Sequence, residues 1–173
     1  MNKKKTCFES SILSVNQEVS KSFPQKKIVT IDAPNWVNII PFTPSNKIVF
    51  IKQHRYGVNN KTLEIPGGMV DKGESSYESA TRELLEETGF QSTRVFKLGK
   101  ISPNPALFSN YVTSYVAYGV KKLDYYCEEE NITTKLIHLS EVNNLIRSGK
   151  IDHALVIAAF FLFNIRDKNA QNA

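Results

Sequence analysis

The stretch from Gly67 to Phe90, GGMVDKGESSYESATRELLEETGF, constrains this chain more than any other. It reads as a Gly-rich turn followed by an acidic helix. Pro66-Gly67-Gly68 interrupts regular structure, and Asp71-Lys72-Gly73 signals a second turn. Ser75 or Ser76 supplies the helix N-cap, and Gly89 stands where a left-handed C-terminal cap is expected. Between them Tyr77, Ala80, Thr81, Leu84, Leu85 and Thr88 recur at three- and four-residue spacing, which predicts one buried stripe. Glu83, Glu86 and Glu87 fall at i, i+3 and i+4, so they cluster on another face, with Arg82 four residues before Glu86 to brace it.

Carboxylates placed this way repel each other by roughly a few tenths of a kcal/mol per pair, a cost without return in a purely structural helix. Hard divalent cations take oxygen ligands of this kind, with water and substrate phosphates completing the shell. A solvated acidic helix face is the competing explanation. The turn discriminates between them. From Gly68, five residues lead to Glu74 and seven more to Arg82-Glu83-Leu84-Leu85-Glu86-Glu87-Thr88-Gly89-Phe90. This resembles the Nudix hydrolase signature, G-x5-E-x7-R-E-U-x-E-E-x-G-U with U apolar, and all nine specified positions match.

The resemblance implies an α/β fold, the Nudix α/β/α sandwich with a mixed sheet. It also implies hydrolysis of a pyrophosphate bond in a nucleoside diphosphate linked to another group. By the same resemblance Glu83, Glu86 and Glu87 hold Mg²⁺ (or Mn²⁺) together with the backbone near Gly67, while Glu74 and Arg82 brace turn against helix. A glutamate from a late loop is the general base in relatives that cut ADP-ribose. Glu128, Glu129 and Glu130 occupy such a loop here, with Glu130 the single choice and Glu86 or Glu87 the alternatives.

Gln53-His54-Arg55-Tyr56 and Leu63-Glu64-Ile65-Pro66-Gly67-Gly68 resemble the Q-Y-R … E-x-P-G-G pattern of ADP-ribose and nucleotide-sugar hydrolases. His54 departs from it at the tyrosine position. Pro103 and Pro105 stand near the spacing at which the ADP-ribose branch carries a proline, but in a different local sequence. Arg55 has the forked geometry that suits a phosphate, or it forms a surface ion pair. Glu64 accepts a ribose hydroxyl or holds the turn. Phe108 and Trp36 are candidates to stack on a base, against the ordinary alternative of core packing. His138 and His153 have no carboxylate or Cys partner at ligand spacing and read as structural.

The chain of 173 residues is long enough for one domain with a full core. Its net charge of +5 does not argue for nucleic acid, because residues 1–27 carry +4 of it and leave +1 for the other 146. Lys3-Lys4-Lys5 is followed by no apolar segment of signal-peptide length, and the longest apolar run, Ala154 to Phe163, is ten residues, too short to span a bilayer. Cys7 and Cys127 form no metal or redox spacing, which fits a reducing cytoplasm.

Residues 1–26 read as a polar, basic extension, forming a strand or short hairpin at the domain edge or an arm onto a partner subunit. Residues 27–168 read as the Nudix domain and 169–173 as a tail. Strands are expected over 27–32, 36–42, 47–53 and 62–65, then 93–101, 110–120 and 132–138. Ser140 is expected to cap a helix ending at Arg147. Asp152 is expected to cap a last helix, apolar nearly all round to Ile165 and so deeply packed.

The substrate expected first is ADP-ribose or another nucleoside diphosphate sugar, cut to a nucleoside monophosphate and a sugar phosphate. GDP-mannose, dinucleoside polyphosphates and oxidised nucleoside triphosphates are the alternatives. A nucleotide-sensing module without catalysis is the rival of another class. A homodimer is the expectation for the assembly, with neither nucleic acid nor membrane as partner.

Overall fold

The structure, a computed structural model, describes residues 4–126 and 130–171, with side chains as far as Arg166. In chain order the elements are β1 (Lys5–Glu9), β2 (Ser14–Val19), β3 (Lys27–Asp32), β4 (Trp36–Phe42), β5 (Lys47–Arg55), β6 (Asn60–Glu64), α1 (Ser76–Thr88), β7 (Phe90–Gln91), β8 (Arg94–Ile101), β9 (Val112–Tyr118), β10 (Lys121–Lys122), β11 (Thr133–His138), α2 (Leu139–Arg147) and α3 (Ala154–Gln171).

β4 and β9 form the centre. Each is buried along nearly its whole length, which marks strands covered on both faces. They pair in parallel from Trp36 opposite Val112 to Phe42 opposite Tyr118. Around them the main sheet has the order β11-β5-β4-β9-β8, with β6 added to β5. Every other pairing in it is antiparallel, so the sheet is mixed.

Alternation along β4 separates two cores. Val37 and Ile39 pack with Ala80 and Leu84 of α1, whereas Ile40 and Phe42 pack with Val156, Phe160 and Phe163 of α3 and Val142 of α2. The result is an α/β/α sandwich. Phe50 stacks on Phe160 at 5.9 Å between ring centroids, and Leu162 lies against Gly99 of β8, where a Cβ would sit 3.1 Å from it.

The helix ends differ from expectation in instructive ways. Ser75 caps α1 through a full capping box with Glu78, and Gly89 closes it at φ +72°. The buried face of α1 is rotated from the expected stripe: Tyr77 is exposed, whereas Ser79 and Glu87 are buried. For α2 the cap is His138 rather than Ser140, its ring nitrogen accepting the Ser140 N–H. α3 begins at Ala154, and His153 rather than Asp152 receives the Leu155 N–H on Nδ1 at 3.2 Å. Nor is α3 packed all round: Phe161 is 64% and Ile165 43% exposed. Backbone helix continues to Gln171, into the segment read as a tail. Among the described residues no helix is long and apolar enough to cross a membrane.

β1, β2 and β3 make a separate antiparallel sheet, so the boundary drawn at 26/27 falls between two paired strands. This sheet has little apolar core. Its buried residue is Asn16, which receives the Thr6 hydroxyl and donates to Asp32. It joins the rest through Ile31, whose N–H donates to the Leu107 carbonyl at 2.8 Å and whose carbonyl accepts from Ser109 at 3.0 Å.

Removing Phe160 empties the contact between α3 and β5. Phe160→Ala is expected to lower unfolding free energy by about 3–5 kcal/mol. Urea titration with an unchanged slope would check it.

Candidate active site

The sheet forks where the site lies. β4 and β5 pair only at Phe42 and Ile48 and then diverge. β6 fills β5's side of the fork, and the chain after it lies along β4. Val37 donates to the Gly68 carbonyl and Ile39 to that of Pro66, both at 2.9 Å, and Val70 donates to Asn35 at 2.8 Å. This close approach explains the two glycines. A Cβ on Gly67 would stand 2.3 Å from the Val37 carbonyl oxygen, and one on Gly68 would stand 2.4 Å from Oε1 of Glu83.

α1 is pinned across the turn by its polar side chains. Ser79 donates to the Met69 carbonyl at 3.0 Å. Glu87, buried, accepts the Gly67 N–H on Oε2 at 2.9 Å. Arg82 is the hub: Nε and Nη2 grip both oxygens of Glu74 at 3.0 and 3.1 Å, and Nη2 also reaches the Met69 carbonyl. Its Nη1 donates to Glu83 at 3.0 Å and to Glu86 at 2.8 Å. Arg82 is held well above the usual arginine range, first by its hydrogen bond to Glu74, and Glu74 is held below the usual carboxylate range by Arg82.

A cleft of about 690 Å³ opens between this helix, the fork and the start of α3. Glu83, Glu87, Gly67 and Gly68 line one part of it. Trp36, Val58, Met69, Val112 and Leu155 form its apolar walls, a volume and lining suited to a small-molecule ligand. Arg55, Glu64, Thr62 and His153 form a third, polar part. Arg55 pairs bidentately with Glu64, Nε to Oε1 at 2.9 Å and Nη2 to Oε2 at 2.8 Å, and Thr62 also donates to Oε1. Burial pushes the Glu64 carboxyl up, but Arg55, Thr62 and His153 outweigh it and leave it below its ordinary 4.5. Glu64 in turn raises Arg55, with smaller help from Glu87 and Glu83. A second hollow, of about 730 Å³, lies at the other end of β4 between Thr43, Arg94 and Lys121 and holds no carboxylate.

Of the residues singled out in the sequence, Arg55, Glu64, Gly67, Glu83, Glu87 and Trp36 thus come together in one cleft. Others do not. Glu86 turns outward to Arg82 with its side chain 53% exposed, and Phe108 sits in the loop that bridges to Ile31. Glu130 lies exposed in a turn and does not line the cleft, while Glu128 and Glu129 lie outside the described residues. His153, read as structural, reaches the cleft with Nε2 3.9 Å from Glu64. No sequence spacing could pair residues 64 and 153. The only local signal was its place beside Asp152 at the start of α3. Asn38, also unmarked in the sequence, lines the cleft and donates to the Leu155 carbonyl at 3.1 Å.

Among the described residues no three His, Cys, Asp or Glu side chains converge as a ready-made metal cage. A hard cation that shares its shell with substrate needs fewer protein ligands. Glu83 and Glu87 are both oxygen donors facing one cleft, and the missing Cβ of Gly68 leaves room in front of Glu83. These residues fit a divalent cation held jointly with an anionic ligand.

Fold and site together define an α/β/α enzyme whose cleft suits an anionic substrate and a hard cation. The NUDIX domain model matches residues 34–160. The chain is 32% identical over 133 residues to the methanol dehydrogenase activator of Bacillus methanolicus, a match covering 75% of this chain and 72% of that protein. It is 26% identical to the ADP-ribose pyrophosphatase of Bacillus subtilis, over 78% of this chain and 74% of that one. It is 29% identical to the ADP compounds hydrolase NudE of Escherichia coli, over 73% and 68%. A crystal structure of an ADP compounds hydrolase shares the fold at a TM-score of 0.82 and 24% identity, covering 100% of this chain and 96% of that one. The chain belongs to the Nudix family and is a Nudix hydrolase.

The Arg55–Glu64 pair makes stability depend on pH. Glu64 lies below its ordinary 4.5 in the folded state, so its contribution is complete above about pH 4.5 and is lost as pH falls through the lower folded value. Arg55 is 42% exposed, which screens the pair, so Glu64→Gln is expected to cost roughly 1–3 kcal/mol near neutrality. Calorimetric melting across the acid range should show the wild type converging on the variant as pH drops.

Proposed function

We propose that the enzyme hydrolyses the pyrophosphate bond of a nucleoside diphosphate sugar, ADP-ribose first, to a nucleoside monophosphate and a sugar phosphate. The observation that carries this reading is the composition of the cleft beside α1: acidic at Glu83 and Glu87, polar at the Arg55–Glu64 pair and apolar beside Trp36. A diphosphate with a base on one side and a sugar on the other matches that sequence of surfaces. The ADP-ribose pyrophosphatase of Bacillus subtilis and the ADP compounds hydrolase of Escherichia coli point the same way.

In this reading Glu83 and Glu87 would hold Mg²⁺ or Mn²⁺ beside the Gly67 backbone. The cation supplies positive charge that phosphate oxygens need when water attacks them. Arg55, whose fork matches two oxygens of a phosphate, neutralises and orients the diphosphate. Trp36, 36% exposed on the cleft wall, offers a face on which a base stacks. Water adds to one phosphorus, the bridging P–O bond breaks, and the bridging oxygen leaves with the other phosphate. The water's proton passes to Glu87, which lines the cleft, or to Glu86 or Glu130 where either side chain turns inward with substrate bound. Glu74 and Arg82 keep the turn and helix in register and take no part in the chemistry. Residues 27–168 carry the activity, with 1–26 as an appended edge.

The same reading places the enzyme in the cytoplasm, where the exposed thiol of Cys7 stays reduced, and makes it a homodimer in which the exposed Phe161 and Ile165 are covered. A monomeric mass by light scattering would remove the dimer.

Chromatography of products from a Mg²⁺-supplemented panel tests the substrate: ADP-ribose, ADP-glucose, GDP-mannose, diadenosine polyphosphates and nucleoside triphosphates. AMP and ribose phosphate from ADP-ribose are expected. Glu87→Gln should reduce kcat by about 100-fold or more, because it removes a charge needed in the transition state. Turnover of triphosphates alone would keep the chemistry and replace the substrate, and ligand binding without any product would indicate a sensing module. Glu86→Gln and Glu130→Gln beside it identify the base by their kcat.

A further inference from the structure

Glu64 and Arg55 form a pair of unequal freedom. The Glu64 side chain is 4% exposed and cannot leave, whereas Arg55 is 42% exposed and borders the cleft. If Arg55 turns to a phosphate, Glu64 loses two hydrogen bonds at once. Oε1 keeps the Thr62 hydroxyl, but Nη2 of Arg55 is the hydrogen-bond donor that Oε2 then forfeits. A buried carboxylate stripped of its partner is costly, and that cost would weaken substrate binding.

His153 stands next to the oxygen that would be stranded. Its Nδ1 accepts the backbone N–H of Leu155 at 3.2 Å, so in the neutral ring the proton must sit on Nε2. Nε2 lies 3.9 Å from Oε2 of Glu64, about 1 Å beyond hydrogen-bond length. The first turn of α3 therefore fixes the tautomer and aims the donor, and no change of protonation is needed for it to act.

We propose that His153 is a positioning residue that takes over Oε2 of Glu64 when Arg55 turns to the substrate diphosphate. Its place is to free Arg55 without stranding Glu64. The inference rests on the reading above in which Arg55 binds phosphate.

The test is a double-mutant cycle. His153→Ser keeps a cap acceptor for Leu155 and removes the reaching donor. In the wild-type background it should raise KM for ADP-ribose roughly tenfold or more, with kcat changed much less. In a Glu64→Gln background no buried charge is left to strand, so the same substitution should leave KM nearly unchanged. Calorimetric binding of the α,β-methylene analogue of ADP-ribose, without added metal, should show the same pattern in Kd. Equal losses in both backgrounds would overturn the inference, since they would mean a direct substrate contact or a helix defect. No loss in the wild-type background would overturn it as well. Should His153→Ser fail to fold, His153→Asn keeps the cap and replaces it in the cycle. Failure of the wild type to bind or cut any diphosphate would instead overturn the reading of the cleft, and this inference with it.

Discussion

One guanidinium ties the acidic helix to the turn that precedes it. Arg82 touches Glu74, Glu83 and Glu86 and the Met69 carbonyl. Without it, carboxylates at i, i+3 and i+4 would repel along α1. Glu74 would lose its charged link to the helix, and the Met69 carbonyl one of its two hydrogen bonds from it. With it, the helix carries its charges at fixed positions, and Glu83 and Glu87 remain directed to the cleft while Glu86 is drawn outward. Glu87 adds the complementary link by accepting the Gly67 N–H. Turn and helix are one unit in which each side supplies what the other lacks.

That unit needs the fork in the sheet. The chain from Pro66 to Val70 takes hydrogen bonds from β4 that a neighbouring strand would otherwise use. Because Gly67 and Gly68 lack Cβ atoms, this segment lies flush between β4 and Glu83. The central strands are buried on both faces, so α1 and α3 can approach the fork from opposite sides. Arg55 at the end of β5 and His153 at the start of α3 reach the same space from those two layers.

The features carried by local sequence were legible beforehand. Glycine spacing, a capping Ser and helical periodicity act within a few residues, and α1 with its turn was read nearly as it stands. The α/β/α layering followed from the order of elements and the family signature. Features that depend on pairing across long sequence distance were not legible. His153 meets Glu64 only because α3 and β6 border one cleft, and a histidine ring can cap a helix as well as the aspartate beside it. The expected stripe put Tyr77 inside, yet buried polar partners drew Ser79 and Glu87 inward instead. The strand over 27–32 and a hairpin within residues 1–26 stand as expected, but nothing local told that the three strands share one sheet, which is held by Asn16 and backbone pairing rather than by a hydrophobic face. Phe108, a candidate for base stacking or for core packing, is not among the residues lining the cleft, and its neighbours Leu107 and Ser109 bond to Ile31.

The parallel pairing of β4 with β9 has a kinetic side. These strands are joined by a long connection containing β5, β6, α1 and β8, so closing their ladder is an entropically slow event compared with forming α1 or the β5–β6 hairpin. Val112 and Trp36, which meet in that ladder, are both walls of the cleft. Local contacts favour α1 and the β5–β6 hairpin over that ladder, and the cleft is complete only once the ladder has closed. Partly folded molecules would therefore carry the charged helix without a place for a nucleotide, and refolding followed by regain of ligand binding would lag behind refolding followed by helix content.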